Sequence, residues 1–514
     1  MPKRSSKHTT LDQRMVVPTG GLDLSAPANA IPETALARAY NWWYEPERGL
    51  CVRQGLARED VAPLAAPILA MHPYVDAAGT LRLLAASGGK LWRRNGATWA
   101  EVATLDSATV APSFATYNGV CLMADGRAAG LVKYDGATVS TIAGSPARPH
   151  SLSEIGGRVV CASLGQPDAV YFSGPKDYTD WSTAAPGGAL VIPAGFGDGY
   201  EVTGFAVLYD TLVVSKVKRD SSGNVLGRRL YGISTAGEPA SWSVRLISEN
   251  NAALFSGGIR AVGNAVYMVD SNGFKAASPT PNGQYGDIGV DPVVGVKINK
   301  LLAQLTRGAD AVTLRYVHSL AQLWCIVRLG SEARTVVYHP LQGAFTQVDF
   351  GVFKPRAVVE IGGKVYIAGD DGVLYTLYNK GTDTLAAGVE TPVAASLRTR
   401  TFEGLGGDLI LKRSKMVLDA LRPAEVLLEA VDGDGVTRTE IGRVATATGG
   451  ASTPLYEAYD ALVDATYKLG DAAARVEPMF YGGPRGSSLA LQVRVLGGRV
   501  VLNSLTAEFA VVGR

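Results

Sequence analysis

Histidine, cysteine and long apolar runs are all scarce in this sequence of 514 residues, and each shortage excludes a class of protein. The five histidines include no pair within one helical turn and none beside a Gly-x-Ser-x-Gly elbow, so neither a histidine metal site nor a serine-type triad is predicted. His72 and His339 each precede a proline, which indicates turns. The four cysteines lack C-x-x-C spacing and lie in apolar runs, so we predict buried thiols in a protein made in a reducing cytoplasm. No run of about 20 apolar residues is present, so we expect no membrane insertion.

The sequence also has almost no excess of charge of either sign. Lysine and arginine total 49 and aspartate and glutamate 47, which gives a formal net charge of +2. Such a balance excludes a strongly positive surface field, so any contact with DNA must be local. The basic residues Lys3, Arg4, Lys7 and Arg14 lie close together at the start of the chain. We interpret residues 1–15 as a flexible basic arm that contacts DNA, or alternatively as a solvated terminus.

Glycine is abundant, with 60 residues, and it marks a repeated turn. The segments Asn95-Gly-Ala-Thr-Trp99 and Asp135-Gly-Ala-Thr-Val139 resemble each other. A turn that is followed by a run of β-branched or aromatic residues recurs every ~40 to 55 residues. The turns that begin these units are Ala78-Gly79, Asn118-Gly119, Gly156-Gly157, Tyr209-Asp210, Gly263-Asn264, Leu320-Ala321 and Gly362-Gly363.

Three or four short strands per unit, repeated in this way, predict an all-β fold with a β-propeller of about six to eight blades. A two-sheet β-sandwich with hairpins of similar length is the alternative. We divide the chain into the arm at residues 1–15, an N-terminal segment at 16–60, the propeller at 61–380 and a C-terminal β-domain at 381–514. Apolar spacing predicts helical connectors within residues 292–307 and 455–469.

Residue patterns for chemistry are weak throughout. Gly96-Ala-Thr-Trp99 matches the end of a sialidase-type box, but Arg94 occupies the place of its aspartate. The acidic pairs Asp370-Asp371 and Asp432/Asp434 precede glycines between predicted strands and indicate hairpin turns, with no EF-hand spacing. No phosphate-binding glycine loop precedes a helix. We therefore predict that the protein is not an enzyme and has no catalytic residue, metal or cofactor.

Residues 16–56 differ in character from the repeated units. Their matching positions are Gly20, Gly21, Leu22, Asp23, Ile31, Pro32, Asn41, Gly49, Arg53 and Gly55. This pattern resembles the opening of the tail nozzle and tail accessory (stabilisation) proteins of tailed bacteriophages, whose bodies are β-propellers with additional β-domains.

The resemblance implies a structural protein of the virion tail, synthesised in the bacterial host cytoplasm. It implies a ring of identical chains, commonly six, below the portal and its adaptor, which continues the DNA ejection channel and holds the tail needle, fibres or tailspikes. The partners implied are other copies of the chain, the portal adaptor, those tail proteins and genomic DNA in passage. The residues that we predict at the assembly interface are Gly20, Gly21, Leu22, Asp23, Ile31, Pro32, Asn41, Trp42, Trp43 and Arg53.

Two other functions remain open from the sequence. The Gly-Gly turns at residues 156–157 and 362–363 resemble kelch repeats, which would fit a cytosolic propeller that binds other proteins. A propeller that binds or cleaves carbohydrate is the second alternative, with Asp76 or Asp270 as its candidate carboxylates.

Overall fold

The computed structural model describes residues 10–182, 187–280, 287–386, 389–404, 407–433, 435–446 and 474–513. Their regular secondary structure is nearly all β-strand, as the sequence predicts. Within the described ranges, no helix is both long enough and apolar enough to span a membrane.

The chain begins with six short strands that belong to two different parts of the molecule. They are β1 (Thr10–Val16), β2 (Gly21–Leu22), β3 (Ala35–Tyr40), β4 (Trp42–Glu45), β5 (Gly49–Val52) and β6 (Gly55–Arg58).

Five consecutive four-stranded antiparallel sheets follow, each formed by neighbouring strands of the chain. Their strands are β7 (Ile68–Val75), β8 (Leu81–Ser87), β9 (Lys90–Asn95), β10 (Thr98–Thr104); β11 (Ser113–Tyr117), β12 (Val120–Ala124), β13 (Val132–Tyr134), β14 (Val139–Thr141); β15 (Pro149–Ile155), β16 (Arg158–Ser163), β17 (Gln166–Phe172), β18 (Leu190–Pro193); β19 (Glu201–Leu208), β20 (Thr211–Arg219), β21 (Val225–Ser234), β22 (Ser243–Ser248); and β23 (Ile259–Val262), β24 (Ala265–Asp270), β25 (Gly273–Pro279), β26 (Ile288–Asp291).

Two further units of the same kind complete the set. The sixth consists of β27 (Ala311–Val317), β28 (Gln322–Leu329), β29 (Glu332–His339) and β30 (Ala344–Val348). The seventh consists of β31 (Pro355–Ile361), β32 (Lys364–Gly369) and β33 (Leu374–Tyr378), with β6 from the start of the chain as its fourth strand. The first strand of each unit lies beside the first strand of the next, and β31 lies beside β7, so the units form a closed ring. This radial order is that of a β-propeller and excludes the two-sheet sandwich.

The predicted turns coincide with the hairpins between the first and second strands of all the blades. A turn this tight needs backbone with positive φ, which glycine adopts at no steric cost. Asn118, Tyr209 and Ala321 adopt φ of 46°, 54° and 49° in these turns without being glycine. Turn chemistry is a local property of the chain, and it therefore revealed the repeat in the sequence.

Two local predictions differ from the structure. The helix expected within residues 292–307 is confined to α1 (Asn299–Thr306), because the preceding residues form turns and the Asn299 side chain accepts a hydrogen bond from the Phe274 N–H (2.8 Å). His72 lies inside β7 and not in a turn. Pro73 is tolerated beside it because β7 pairs only with β8 and its other edge faces the centre of the ring. The helix predicted at residues 455–469 lies outside the described residues.

Of the remaining strands, the first two extend the sheet of the seventh blade beyond β6, and the other eight form a second β-structure at one side of the propeller. The remaining strands are, in chain order, β34 (Thr382–Ala386), β35 (Val389–Pro392), β36 (Ala395–Thr399), β37 (Phe402–Glu403), β38 (Gly407–Asp432), β39 (Arg438–Thr446), β40 (Ala474–Val476), β41 (Met479–Tyr481), β42 (Arg485–Gly486) and β43 (Ser488–Gly513). The two longest, β38 and β43, pair along most of their 26 residues.

Strands from the start of the chain complete this second structure. β1 pairs with the end of β43, β3 with β36, and β5 contacts β43 at one bridge. The N-terminal segment and the C-terminal region therefore share one sheet, which we call the terminal sheet (β1, β3, β5, β36, β38, β39 and β43). Strand pairing between the two ends of the chain leaves no local pattern, so the sequence did not indicate it.

Candidate functional site

The segment that carries the phage-like pattern is packed mostly inside its own chain. Its buried members are Gly21, Leu22, Asp23, Ile31, Asn41, Trp42, Trp43 and Arg53, whereas Gly20 is half-buried and Pro32 is exposed. These buried side chains contact the terminal sheet and the propeller of the same chain. Any contact with a second subunit would therefore have to come from exposed neighbours on this segment, and the assembly role stays a prediction.

The glycine and aspartate at the start of the segment shape its backbone. Gly21 has φ of 64°, and a Cβ there would lie 2.7 Å from the Cβ of Ala344 in the sixth blade, so only glycine fits. The Asp23 carboxylate accepts hydrogen bonds from the N–H and the hydroxyl of Ser25 (3.0 and 2.6 Å), which closes a short turn. Close packing against the propeller thus explains the Gly-Gly-Leu-Asp motif.

Arg53 is the centre of one buried polar cluster, and only 1% of its surface is exposed. Its guanidinium forms a two-pronged ion pair with Asp383 (2.9 and 2.5 Å) and lies 4.6 Å from the centre of the Phe350 ring. Asp383 also accepts the Leu56 N–H (2.9 Å). The side chain of Asn41 accepts from Arg53 and from the Asp349 N–H. This cluster joins the N-terminal segment, the sixth blade and β34.

Arg499 is the centre of a second buried cluster next to the first. It is fully buried, and its guanidinium forms an ion pair with Glu45 and hydrogen bonds to the Asn379 side chain and the Val52 carbonyl (3.0 Å for the last). Glu45 also accepts from Trp43 Nε1 (3.1 Å). Burial first, and then the negative charge of Glu45, raises the pKa of the Cys51 thiol to about 12. The two clusters fix the terminal sheet on the propeller.

Sequence reasoning found Asn41 and Arg53 but missed Glu45, Asp383 and Arg499. These three residues occur in ordinary surroundings in the sequence, and no spacing links them. A buried charge is recognised only when its partner is known, because isolated charges are normally solvated.

The predicted DNA-contacting arm is described only in part. Lys3, Arg4 and Lys7 lie outside the described residues. Arg14 lies on β1, where its guanidinium pairs with Asp12 and Glu33 (3.0 and 2.8 Å). Hydrogen bonding to Asp12 is the main cause that raises the pKa of Arg14. Its charge is thus shared with two carboxylates of the same chain.

The two candidate carboxylates of a carbohydrate-active propeller have structural partners. Asp76 accepts the Ala78 and Thr80 N–H groups (3.0 and 2.9 Å) and pairs with Arg82 (2.7 Å), which shapes the first hairpin of the propeller. The hydrogen bond from Thr80 is the largest cause that lowers the pKa of Asp76. Asp270 is fully buried, which raises its pKa, and Arg228 lies 3.8 Å from its Oδ2.

The four thiols are buried and unpaired, as predicted. The histidines are dispersed: His72 bonds the Thr116 hydroxyl (2.8 Å), His150 the Val202 carbonyl (3.0 Å), and His339 the Thr346 hydroxyl (2.9 Å). His8 lies outside the described residues. In the part of the chain that the structure describes, no three His, Cys, Asp or Glu side chains come together as metal ligands.

His339 gives the chain a testable dependence on pH. It is fully buried, and burial lowers the pKa of its imidazole from 6.5 to about 3. Below pH 6.5 the His339 imidazole is protonated in the unfolded chain but stays neutral in the folded chain. The free energy of unfolding therefore falls as the pH falls from 6.5 towards 3, by ~1.4 kcal/mol per pH unit. When the pH is lowered from 6.5 to 5, we expect the free energy of unfolding to fall by about 2 kcal/mol less in His339→Gln than in the parent, as measured by urea unfolding. Equal losses in both proteins would show that His339 does not carry the effect.

Comparison with known proteins adds information on the fold alone. No protein-family model matches the chain, and no curated protein matches it. Among solved structures, BamB from Moraxella catarrhalis is 14% identical over 63% of this chain and 97% of its own, with a TM-score of 0.36. A catalytically inactive virginiamycin B lyase from Staphylococcus aureus, solved with quinupristin, is 10% identical over 63% of this chain and 98% of its own, with a TM-score of 0.41. The β-propeller domain of Cps50 (Swd1) from Myceliophteria thermophila is 8% identical with the same coverage and TM-score.

Proposed function

We propose that this chain is a structural protein of a bacteriophage tail, of the nozzle or tail accessory class, which forms a ring below the portal adaptor and holds further tail proteins. The proposal rests on the phage-like pattern between Gly20 and Gly55. One structural observation supports it: this segment completes both the terminal sheet and the last blade of the propeller. A protein that transmits load along a tail benefits from such a link, because both parts then move as one body.

The first strand offers a surface for neighbouring copies. β1 pairs with β43 along one edge, and no described strand pairs with its other edge. Leu11 and Met15 on this strand are 59% and 61% exposed, and Val17 directly after it is 37% exposed. An open edge with exposed apolar side chains is a site where another chain can add. A closed ring of identical chains needs two different surfaces in each contact, so we propose β1 as one of them.

Charge placed on β1 tests this contact. We expect the double variant Leu11→Lys/Met15→Lys to reduce incorporation into particles by about tenfold or more, because burying two ammonium groups at an interface opposes association. The folded chain should be unaffected, since both side chains are exposed. The measurement is quantitative immunoblotting of purified particles that were assembled with each variant supplied in trans.

Val110→Lys is the matched control, because Val110 is 62% exposed in the loop between the first two blades. It should be incorporated like the parent. Normal incorporation of the β1 variant would reject β1 as a subunit contact without rejecting the tail assignment.

The tail assignment itself is tested by immunogold electron microscopy. Antibody raised against the purified chain is applied to phage particles from the source culture. Label below the neck or at the tail tip is the expected result. Antigen confined to the soluble host fraction, with bare particles, would overturn the proposal and favour a cytosolic interaction propeller.

A further inference from the structure

One face of the terminal sheet carries a groove of about 210 Å³ that is lined in part by arginines. Arg38 comes from β3, Arg438 from β39 and Arg494 from β43. The other residues that line the groove are Tyr40, Ala394, Ala395, Ser396, Gln492, Val495 and Leu496. The groove therefore combines residues from both ends of the chain, and we call it the arginine groove.

Strand register brings a fourth arginine to this face. Arg38 on β3 lies directly opposite Arg398 on β36, and Arg398 in turn lies opposite Gln492 on β43. Like charges on directly opposite residues of paired strands repel each other. Burial lowers the pKa of Arg398, and the positive charges of Arg38 and Arg438 lower it further. Positive charge is thus concentrated on one face of the sheet.

Negative charge at the groove is limited. Glu429, which is buried, accepts hydrogen bonds from Gln492 Nε2 (2.9 Å) and from Arg494 (3.1 Å). Arg398 donates to the Gly435 carbonyl (3.1 Å), and Arg38 lies 5.4 Å from the centre of the Tyr40 ring. The Tyr40 hydroxyl donates in turn to Asp349.

Neither Arg38 nor Arg438 forms an ion pair with any residue that the structure describes. Glu429 already accepts hydrogen bonds from Gln492 and Arg494. Arg38 and Arg438 are exposed to solvent, so their guanidiniums can be reached by a ligand from solution.

A neutral donor also faces this groove without a partner. Ser396 is 9% exposed, and its hydroxyl makes no hydrogen bond within the described structure. A buried hydroxyl without a partner costs free energy, which a bound acceptor would recover. Its position between the arginine-bearing strands indicates where such an acceptor would sit.

We propose that the arginine groove binds a phosphate group, held by the guanidiniums of Arg38, Arg438 and Arg494 and by the hydroxyl of Ser396. The donors come from four strands, so they approach from several directions. A tetrahedral phosphate has acceptor oxygens pointing in several directions, whereas a carboxylate offers two in one plane. Arginine forks suit phosphate because they donate two hydrogen bonds at once. This inference does not depend on the tail assignment.

The phosphate can come from a free ion or from the backbone of DNA, and two probes separate these sources. The full chain is titrated with inorganic phosphate by calorimetry and with a duplex oligonucleotide by fluorescence anisotropy, both at low salt. We expect Arg38→Gln/Arg438→Gln to weaken binding of the effective probe by about tenfold or more. Arg443→Gln is the control, because this arginine lies on β39, half-exposed and paired with Glu425 outside the groove.

The outcomes decide the proposal. The proposal is supported if the parent binds phosphate, or binds DNA alone, and if the groove variant weakens this binding while the control does not. The probe that binds then identifies the source of the phosphate group. Failure of both probes to bind, or equal binding by the groove variant and the parent, overturns it. Tighter binding of polyglutamate than of either probe overturns the assignment to phosphate. Thermal unfolding gives a second reading: the groove variant should melt no lower than the parent without ligand, since it relieves repulsion, and phosphate should raise the melting temperature of the parent only.

Discussion

Replacing Arg53 with leucine is expected to destabilise the chain by about 3 to 5 kcal/mol, because it leaves the Asp383 carboxylate buried without its counter-charge. Asp383 is 6% exposed, so water cannot replace the lost guanidinium. The variant also loses the contact between Arg53 and the Phe350 ring. Urea unfolding followed by near-ultraviolet circular dichroism measures the effect.

Companion variants separate the ion pair from simple packing. Arg53→Lys should lose part of the stability, because an ammonium group cannot form the two-pronged pair. The double variant Arg53→Leu/Asp383→Leu should recover part of the loss, because both charges are removed together. Arg443→Leu, at an exposed position, should change stability by less than ~0.5 kcal/mol. A loss below about 1 kcal/mol in Arg53→Leu would contradict the assigned role of the pair.

Deletion of residues 1–58 is expected to prevent the formation of a folded, soluble chain. The deletion removes β6, so the seventh blade loses its fourth strand and the pairing that holds the start of the chain to the last blade. It also removes Trp42 and Trp43, which are fully buried, and burial of each such side chain is worth ~3 to 5 kcal/mol. These losses together approach the total stability of ~5 to 15 kcal/mol that is usual for a domain.

Gel filtration, near-ultraviolet circular dichroism and limited proteolysis measure this result. A control that lacks only residues 1–9 keeps every described strand and should behave like the full chain. A monomeric, protease-resistant propeller made from residues 59–514 would show that β6 is dispensable. Any test of assembly that removes the N-terminal segment must therefore be replaced by point variants on exposed positions, such as those on β1.

The structure also changes the meaning of the phage-like pattern. The residues of a pattern that resembles a protein family can form contacts between subunits or contacts within one chain. Here Trp42, Trp43 and Arg53 lie inside the chain, where they join the propeller to the terminal sheet. The partner surface that we propose consists instead of exposed neighbours, above all Leu11 and Met15 on β1.

The repeated architecture could be predicted from the amino-acid sequence. Each blade has a tight turn between its first and second strands, whose residues must adopt particular backbone angles, and each turn is followed by a strand of β-branched or aromatic residues. Both properties depend on neighbours in the chain, so turns such as Asn118-Gly119 and Gly362-Gly363 were placed correctly from letters alone. The buried state of the four cysteines followed from their apolar neighbours in the same way.

The pairing of distant strands and of buried charges could not be predicted in this way and became visible in the folded chain. Arg53 and Asp383 are 330 residues apart, and the arginine groove takes residues from β3, β39 and β43. Strand β6 could pair with any free edge of suitable length, and only the closed ring selects β33 as its partner. The sequence of a strand does not show which other strand it will pair with. A charged residue that will be buried cannot be distinguished in the sequence from one on the surface until its partner is known. The repeat was readable because its causes are local, whereas the junction and the groove arise from contacts between distant parts of the chain.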